Sequence, residues 1–285
     1  MKVGPDITRP RLIVNADDYG YSEKINAAIE RTAATGILTS TTAMVNMPEA
    51  RQLPAFLSRF PHISAGLHVN LTEGHPILSA KVIPSLVDSS GLFLGWRSFV
   101  RRLLAGRVRS EHIRAEIAAQ VEALTGLIGP FSHFDSHQHT HTFPQVLASI
   151  LHVAKCRPSP RRVRTNRRLF ISAGSKHRST ARLQMQHCVR HPLSIGGLLL
   201  KANQTARIHA AGFASPDYLL TPDPVIISSN RSAGDDWSTV LARLPRATIE
   251  INFHPGLGAD EAVLCDPRIR MTVDNYLELV SFAAI

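Results

Sequence analysis

Residues 11–20 read RLIVNADDYG. The apolar run Leu12-Ile13-Val14 is broken by Asp17, Asp18 and Gly20, the pattern of a buried strand that ends in a loop. Ser22 is placed to cap the next segment, Ile25, Ala28 and Ile29 recur there at helical spacing, and Gly36 stands where the last turn closes. The chain therefore opens with one strand and one helix. The alternation continues outward with a β-branched strand over 39–45, a helix opened by Pro48 and running to about Ser58, and a strand over 63–71 (ISAGLHVNL).

Residues 111–127 carry Ile113, Ile117, Val121 and Leu124 on one helical face, and Gly129-Pro130 stops that helix before a strand beginning at Phe131. A helix over 144–154, a short strand over 162–165, a strand over 248–253 (TIEINF) and a final helix over 275–284 complete the pattern. Such alternation predicts parallel βα units. With 285 residues, 44% of them hydrophobic, it predicts a single α/β, TIM-like barrel domain over 1–285. Residues 76–110 show no clear period and read as an insertion over one rim, while 172–212 yield only a helix at their end.

No apolar run behind a positive cluster stands at the start, and nowhere do about 18 apolar residues run together. These features predict a soluble, cytoplasmic protein. Cys156, Cys188 and Cys265 are odd in number and not in paired ligand spacing, which predicts reduced, structural thiols. The net charge of +10 is lopsided: residues 136–216 hold no acid but thirteen Lys and Arg, from Lys155 to Arg207. This 155–207 tract faces water or anions, and with Leu193, Ile195 and Leu198–Leu200 beside Arg190 and Lys201 it is a candidate for peripheral contact with an anionic membrane. Nucleic acid is not expected, because only Phe170 and Phe213 interrupt the basic tract where a single-strand platform would interleave several aromatics.

Four histidines fall within nine residues of SHFDSHQHTH: His133, His137, His139 and His141. If this segment stays extended, Asp135, His137, His139 and His141 share one side. An imidazole-rich surface with a carboxylate nearby suits a divalent metal. Asp17 and Asp18 stand at the end of the first strand, where one carboxylate can bind a metal and the other can take a proton. His68, in GLHVNL, and His254, in INFHPG, would each read as a core or turn histidine if it stood alone. What joins them is that all these residues lie in or at the ends of separate strands, and in a parallel barrel the C-terminal strand ends meet on one face. A carboxylate and two histidines there would leave metal positions open for water and substrate.

The segments LIVNADDYG, GILTSTTAMVN, GLHVNLTEG, SHFDSHQHTHTFPQ and INFHPG occur in one order across most of the chain, and with them the sequence resembles the YdjC-like family of carbohydrate deacetylases, which includes chitooligosaccharide deacetylases. The resemblance implies a distorted βα barrel and metal-dependent hydrolysis of the N-acetyl group of an amino sugar, a linear amide, on a chitooligosaccharide or an N-acetylglucosaminyl glycolipid. It implies Asp18, His68 and His137 as metal ligands, Asp17 as base, His254 as acid and Arg164 as the residue holding the base. The implied cation is magnesium, with zinc, cobalt, nickel or manganese as alternatives, and the implied assembly is a homodimer. The same ligand set also describes a non-haem Fe(II) oxygenase, and the basic tract leaves a membrane- or nucleic-acid-binding protein as a third reading. No role follows for His139 or His141.

Overall fold

The computed structural model describes residues 8–171, 185, 204–221 and 233–285. Strand β1 (Arg11–Tyr19) is followed by α1 (Glu23–Ala33), β2 (Ser40–Ala43), a 3-10 turn (Pro48–Gln52) leading into α2 (Leu53–Arg59), and β3 (Ser64–Val69). The insertion holds α3 (Trp96–Leu104), and then come α4 (Ser110–Ile128), β4 (Phe134–Ser136) and α5 (Pro144–Cys156). The remaining described elements are α6 (Gln204–Ala210), β5 (Tyr218–Leu220), α7 (Ala233–Leu241), β6 (Thr248–Phe253), α8 (Asp260–Leu264), α9 (Pro267–Tyr276) and β7 (Glu278–Leu279).

The strands are all parallel and run in the order β4-β3-β2-β1-β6-β5. The segment 161–169 links the two ends of this sheet. It exchanges backbone hydrogen bonds with Phe134 of β4 through Arg162 and Arg164, and with Leu219 of β5 through Arg167 and Leu169. The result is a distorted βα barrel, as the sequence predicts.

Alternation along the strands divides the residues between two environments. Leu12, Val14 and Ala16 of β1, Ala65, Leu67 and Val69 of β3 and Ile249, Ile251 and Phe253 of β6 join the apolar cluster shared with the helices. The intervening residues point into the barrel and are mostly polar: Asn15 and Asp17, His68, Asp135, Glu250 and Asn252 are all buried. At the opposite end from the acids the interior turns apolar, where Ile13 packs with Val280 and Phe282, and the His133 ring stacks on Phe282 at 3.5 Å.

Four expectations need correction. The final helix over 275–284 is not formed: α9 ends at Tyr276, and the chain then pairs with β1, Glu278 N–H donating to Pro10 O and Val280 N–H to Leu12 O. Strand β2 pairs with β1 only from Asn15 onward, so the first part of that edge is left for β7. Asp266, whose side chain accepts from Arg268 N–H, and Pro267 at the first turn start α9 earlier than the apolar pattern suggests. The insertion is not without period, because Phe99 and Leu103 lie one turn apart and bury one face of α3. Residues 162–165 make only isolated parallel bridges in place of a strand. Cys156 and Cys265 are free thiols but exposed, so they have no part in the core.

Cys188, Leu193, Ile195, Leu198–Leu200 and most of the basic tract lie outside the described residues. Among the described residues no helix is long and apolar enough to cross a membrane.

Two glycines test the packing. A Cβ on Gly66 would stand 2.4 Å from His133 Cε1, and Phe282 stacked behind that ring leaves it no room to move. A Cβ on Gly126, within α4, would meet nothing within 4 Å. Gly66→Ala should therefore cost about 1–3 kcal/mol through overpacking, while Gly126→Ala should add about 0.5–1 kcal/mol through helix propensity. Urea denaturation of both variants checks this, and equal midpoints would contradict the packing described.

Candidate functional site

Arg164 is fully buried and faces three buried carboxylates. Its NH1 and NH2 donate to Asp17 Oδ2 and Oδ1 at 2.8 and 2.7 Å, a two-point grip that fixes the carboxylate plane. NH1 also lies 2.8 Å from Asp135 Oδ2, and Nε donates to Glu250 Oε1 at 2.7 Å. Asn15 Nδ2 donates to Asp17 Oδ1 at 2.7 Å, and Asn252 Nδ2 to Oδ2 at 3.3 Å. Burial alone would raise the Asp17 pKa, but Arg164 outweighs it and holds the carboxyl well below its usual range. Glu250 shares the same cation less favourably, and burial pushes it up to about 7.

Adjacent residues of a regular strand point to opposite faces, yet Asp17 and Asp18 both reach this site. The backbone explains how. Between Ala16↔Thr41 and Tyr19↔Ala43 the pairing of β1 with β2 shifts register, and Asp18 takes a left-handed φ of 67°. Such a bulge at a strand end re-aims a side chain. Asp18 Oδ1 thereby comes within 3.1 Å of His68 Nε2 and 2.9 Å of His137 Nδ1.

His68 projects inward from β3, and its other nitrogen, Nδ1, lies 2.8 Å from Asp135 Oδ1 and 3.1 Å from Thr42 Oγ1. Burial would keep this ring neutral, but Asp135 and Asp18 override it and push His68 up to about 10. His137 stands just past β4. Its pKa is raised too, because Asp18 and Glu73 outweigh its burial. Asp18 is held far below the usual carboxylate range by hydrogen bonds from both rings, against the upward pull of burial.

The donor atoms of Asp18, His68 and His137 lie within 4.8 Å of one another. Two ligands at right angles with metal bonds of about 2.1 Å stand about 3.0 Å apart, and the carboxylate–imidazole spacings here match that value. The donor set, one carboxylate and two imidazoles, suits a divalent cation, and Asp135 on His68 Nδ1 is the outer carboxylate that leaves Nε2 free to ligate. His254 follows β6 at the rim. Its Nε2 lies 3.7 Å from Asp17 Oδ2, its backbone N–H donates to Asp260 Oδ2 at 2.8 Å, and the side chain is 36% exposed.

Asp17, Asp18, His68, His137, Arg164 and His254 are thus brought together from five segments of the chain. The extended strand through His141 is not formed. After Ser136 the chain turns, with Gln138 and His139 at φ of 52° and 53°, and His141 folds back so that its Nδ1 lies 2.6 Å from Ser136 Oγ. His139 and His141 therefore sit beside each other, apart from the Asp18 group. Sequence reasoning missed Glu250, Asn15, Asn252 and Thr42. The signal was present, since Glu250 and Asn15 are polar residues inside otherwise apolar strands, which demands buried partners.

A model of the YdjC-like protein family matches residues 11–279. A carbohydrate deacetylase of Vibrio cholerae is 36% identical over 145 residues, 51% of this chain and 55% of that protein. A chitooligosaccharide deacetylase of Serratia marcescens is 36% identical over 153 residues, 53% of this chain and 58% of that protein. The chain spans about half the length of the curated relatives it matches. A crystal structure from Enterococcus faecalis, described as a candidate cellobiose-phosphate cleavage protein, shares the fold with a TM-score of 0.69 at 22% identity, over 97% of this chain and 99% of that one.

Without a cation, His68 carries a proton at pH 7, since its pKa is pushed up to about 10. Ligation needs the neutral ring, so a cation must displace that proton, and affinity should rise about tenfold per pH unit between pH 6 and 9. Calorimetric titration of Zn2+ in buffers of different ionisation enthalpy should show at least one proton released. Affinity independent of pH would contradict the geometry.

Proposed function

The chain belongs to the YdjC-like protein family, and we propose that it hydrolyses the acetamido group of an N-acetylated amino sugar with the help of a bound divalent cation, releasing acetate. The observation that carries this reading is the pairing of a three-donor group with a carboxylate outside it and a rim histidine: Asp18, His68 and His137 beside Asp17 and His254. The names of the relatives from Vibrio cholerae and Serratia marcescens agree with it.

When bound, the cation lowers the pKa of a water and polarises the acetyl carbonyl. Asp17 takes the water's proton. Its low pKa makes it ionised at working pH, and the grip of Arg164, Asn15 and Asn252 fixes the direction in which it accepts. Addition of the water oxygen to the acetyl carbon gives a tetrahedral adduct whose C–N bond breaks only if nitrogen leaves as an amine, so a proton must reach it. His254 donates that proton from the solvent side, a role that its partial exposure and its 3.7 Å distance from Asp17 support. The substrate proposed is a chitooligosaccharide or an N-acetylglucosaminyl glycolipid, and the metal proposed is magnesium, with zinc, cobalt, nickel or manganese as alternatives. The Fe(II) oxygenase reading shares the three donors, but an oxygenase has less need of the Asp17–His254 pair, which favours hydrolysis.

Two substitutions separate these roles. Asp17→Asn should keep bound metal, by elemental analysis, while kcat for acetate release from N,N'-diacetylchitobiose falls about 10²- to 10⁴-fold. His254→Ala should lose a similar factor on the sugar amide but little on p-nitrophenyl acetate, whose leaving group needs no proton. Loss of both activities to the same degree in His254→Ala would exclude it as the acid.

A further inference from the structure

Glu73 follows β3 at the start of the insertion, and no role has been given to it above. Its Oε1 lies 3.4 Å from His137 Nε2, a buried nitrogen that makes no hydrogen bond of regular geometry among the described residues. The same oxygen accepts from Gln138 Nε2 at 3.0 Å, and the Tyr21 hydroxyl bonds to the carboxylate from the β1–α1 loop. Glu73 thus joins three of the loops that rim the site.

Its backbone is held more firmly than a surface acid requires. Asn70 Oδ1 accepts from Glu73 N–H at 3.1 Å, and Asn70 Nδ2 donates to Glu73 O at 2.7 Å. Gln120 of α4 grips Asn70 in turn, accepting from its N–H at 3.1 Å and donating to its carbonyl at 2.7 Å. Glu116, one turn earlier and fully buried, accepts from Gln120 Nε2 at 3.0 Å and from the amides of Ile77 and Leu78 at 2.9 and 3.1 Å. A buried polar ladder with every member satisfied fixes position. Here it fixes the loop that presents Glu73.

The two histidines of the metal group are placed in opposite senses. His68 turns Nδ1 to Asp135 and Nε2 to Asp18. His137 turns Nδ1 to Asp18 and Nε2 to Glu73. A neutral imidazole has one N–H and one lone pair, and a carboxylate on one nitrogen decides where each resides. We propose that Glu73 is the positioning residue of His137, accepting its Nε2 proton and so leaving the Nδ1 lone pair directed at the cation site shared with Asp18 and His68. The loop after β3 thereby helps set metal affinity. This inference rests on the metal reading given above.

The test is Zn2+ affinity of the metal-free chain, measured by competition with a chromophoric chelator, for the unaltered protein, Glu73→Gln and Glu73→Ala. Glu73→Ala should bind about 10- to 100-fold more weakly, Glu73→Gln should fall between, and the metal-free melting temperature of Glu73→Gln should be unchanged. In 15N-histidine spectra of the zinc form, His137 should be a single Nε2–H tautomer in the unaltered protein. Equal affinity of all three proteins, or an Nδ1–H tautomer of His137, would overturn the assignment of Glu73 alone. Absence of zinc binding by the unaltered chain would overturn the metal reading and this inference with it.

Discussion

One guanidinium, that of Arg164, stands against the carboxylates of Asp17, Asp135 and Glu250 inside the barrel, and the polar interior is arranged around it. Buried charges are tolerated only when paired and hydrogen-bonded, so each of these acids is also a constraint on where its strand must sit. Asp17 comes from β1, Asp135 from β4 and Glu250 from β6, and Arg164 from the segment that joins the two ends of the sheet. Breaking the ion cluster would remove the barrel's central tie. The cluster also leaves an excess of negative charge, because Asp18 adds a fourth carboxylate within reach of His68. A proton on His68 relieves part of that excess, and on the proposed reading a divalent cation takes its place.

The geometry of the site then follows from two backbone irregularities. The register shift in β1 lets consecutive acids serve one site, Asp17 turned to Arg164 and Asp18 to the two histidines. The turn after β4 halts the histidine-rich segment so that His137 alone joins Asp18, while His141 is tied to Ser136. Both lie at strand C-terminal ends, where loops carry function on a rigid frame.

Much of this was legible in the sequence because strands announce themselves by burial. ISAGLHVNL and TIEINF gave strands at nearly their observed bounds, RLIVN gave only the first part of β1, which runs on through both aspartates to Tyr19 because β2 and β6 pair with it there, and the residues of ADDYG, GLH, DSHQH and INFHPG converge in space. What could not be read depended on distant partners. Residues 278–279 became a strand because β1 has a free edge beyond the reach of β2, a fact about pairing that no local pattern carries. Period two failed after Ser136 because Gln138 and His139 take positive φ, which the residue types permit but do not require. Glu250 and Asn15 looked like interruptions of apolar strands, and only the closed barrel shows the Arg164 network that accounts for them.

On the proposed reading, one divalent cation at the Asp18, His68 and His137 group is needed to release acetate from an N-acetylated amino sugar. The most direct measurement is acetate release from N,N'-diacetylchitobiose by metal-depleted protein as Mg2+, Zn2+ or Co2+ is added back in stepwise equivalents. The depleted protein should be inactive, recovery should saturate at one tightly bound ion per chain, and His68→Gln should not recover. Full activity in the depleted protein, or recovery undiminished in His68→Gln, would contradict that reading.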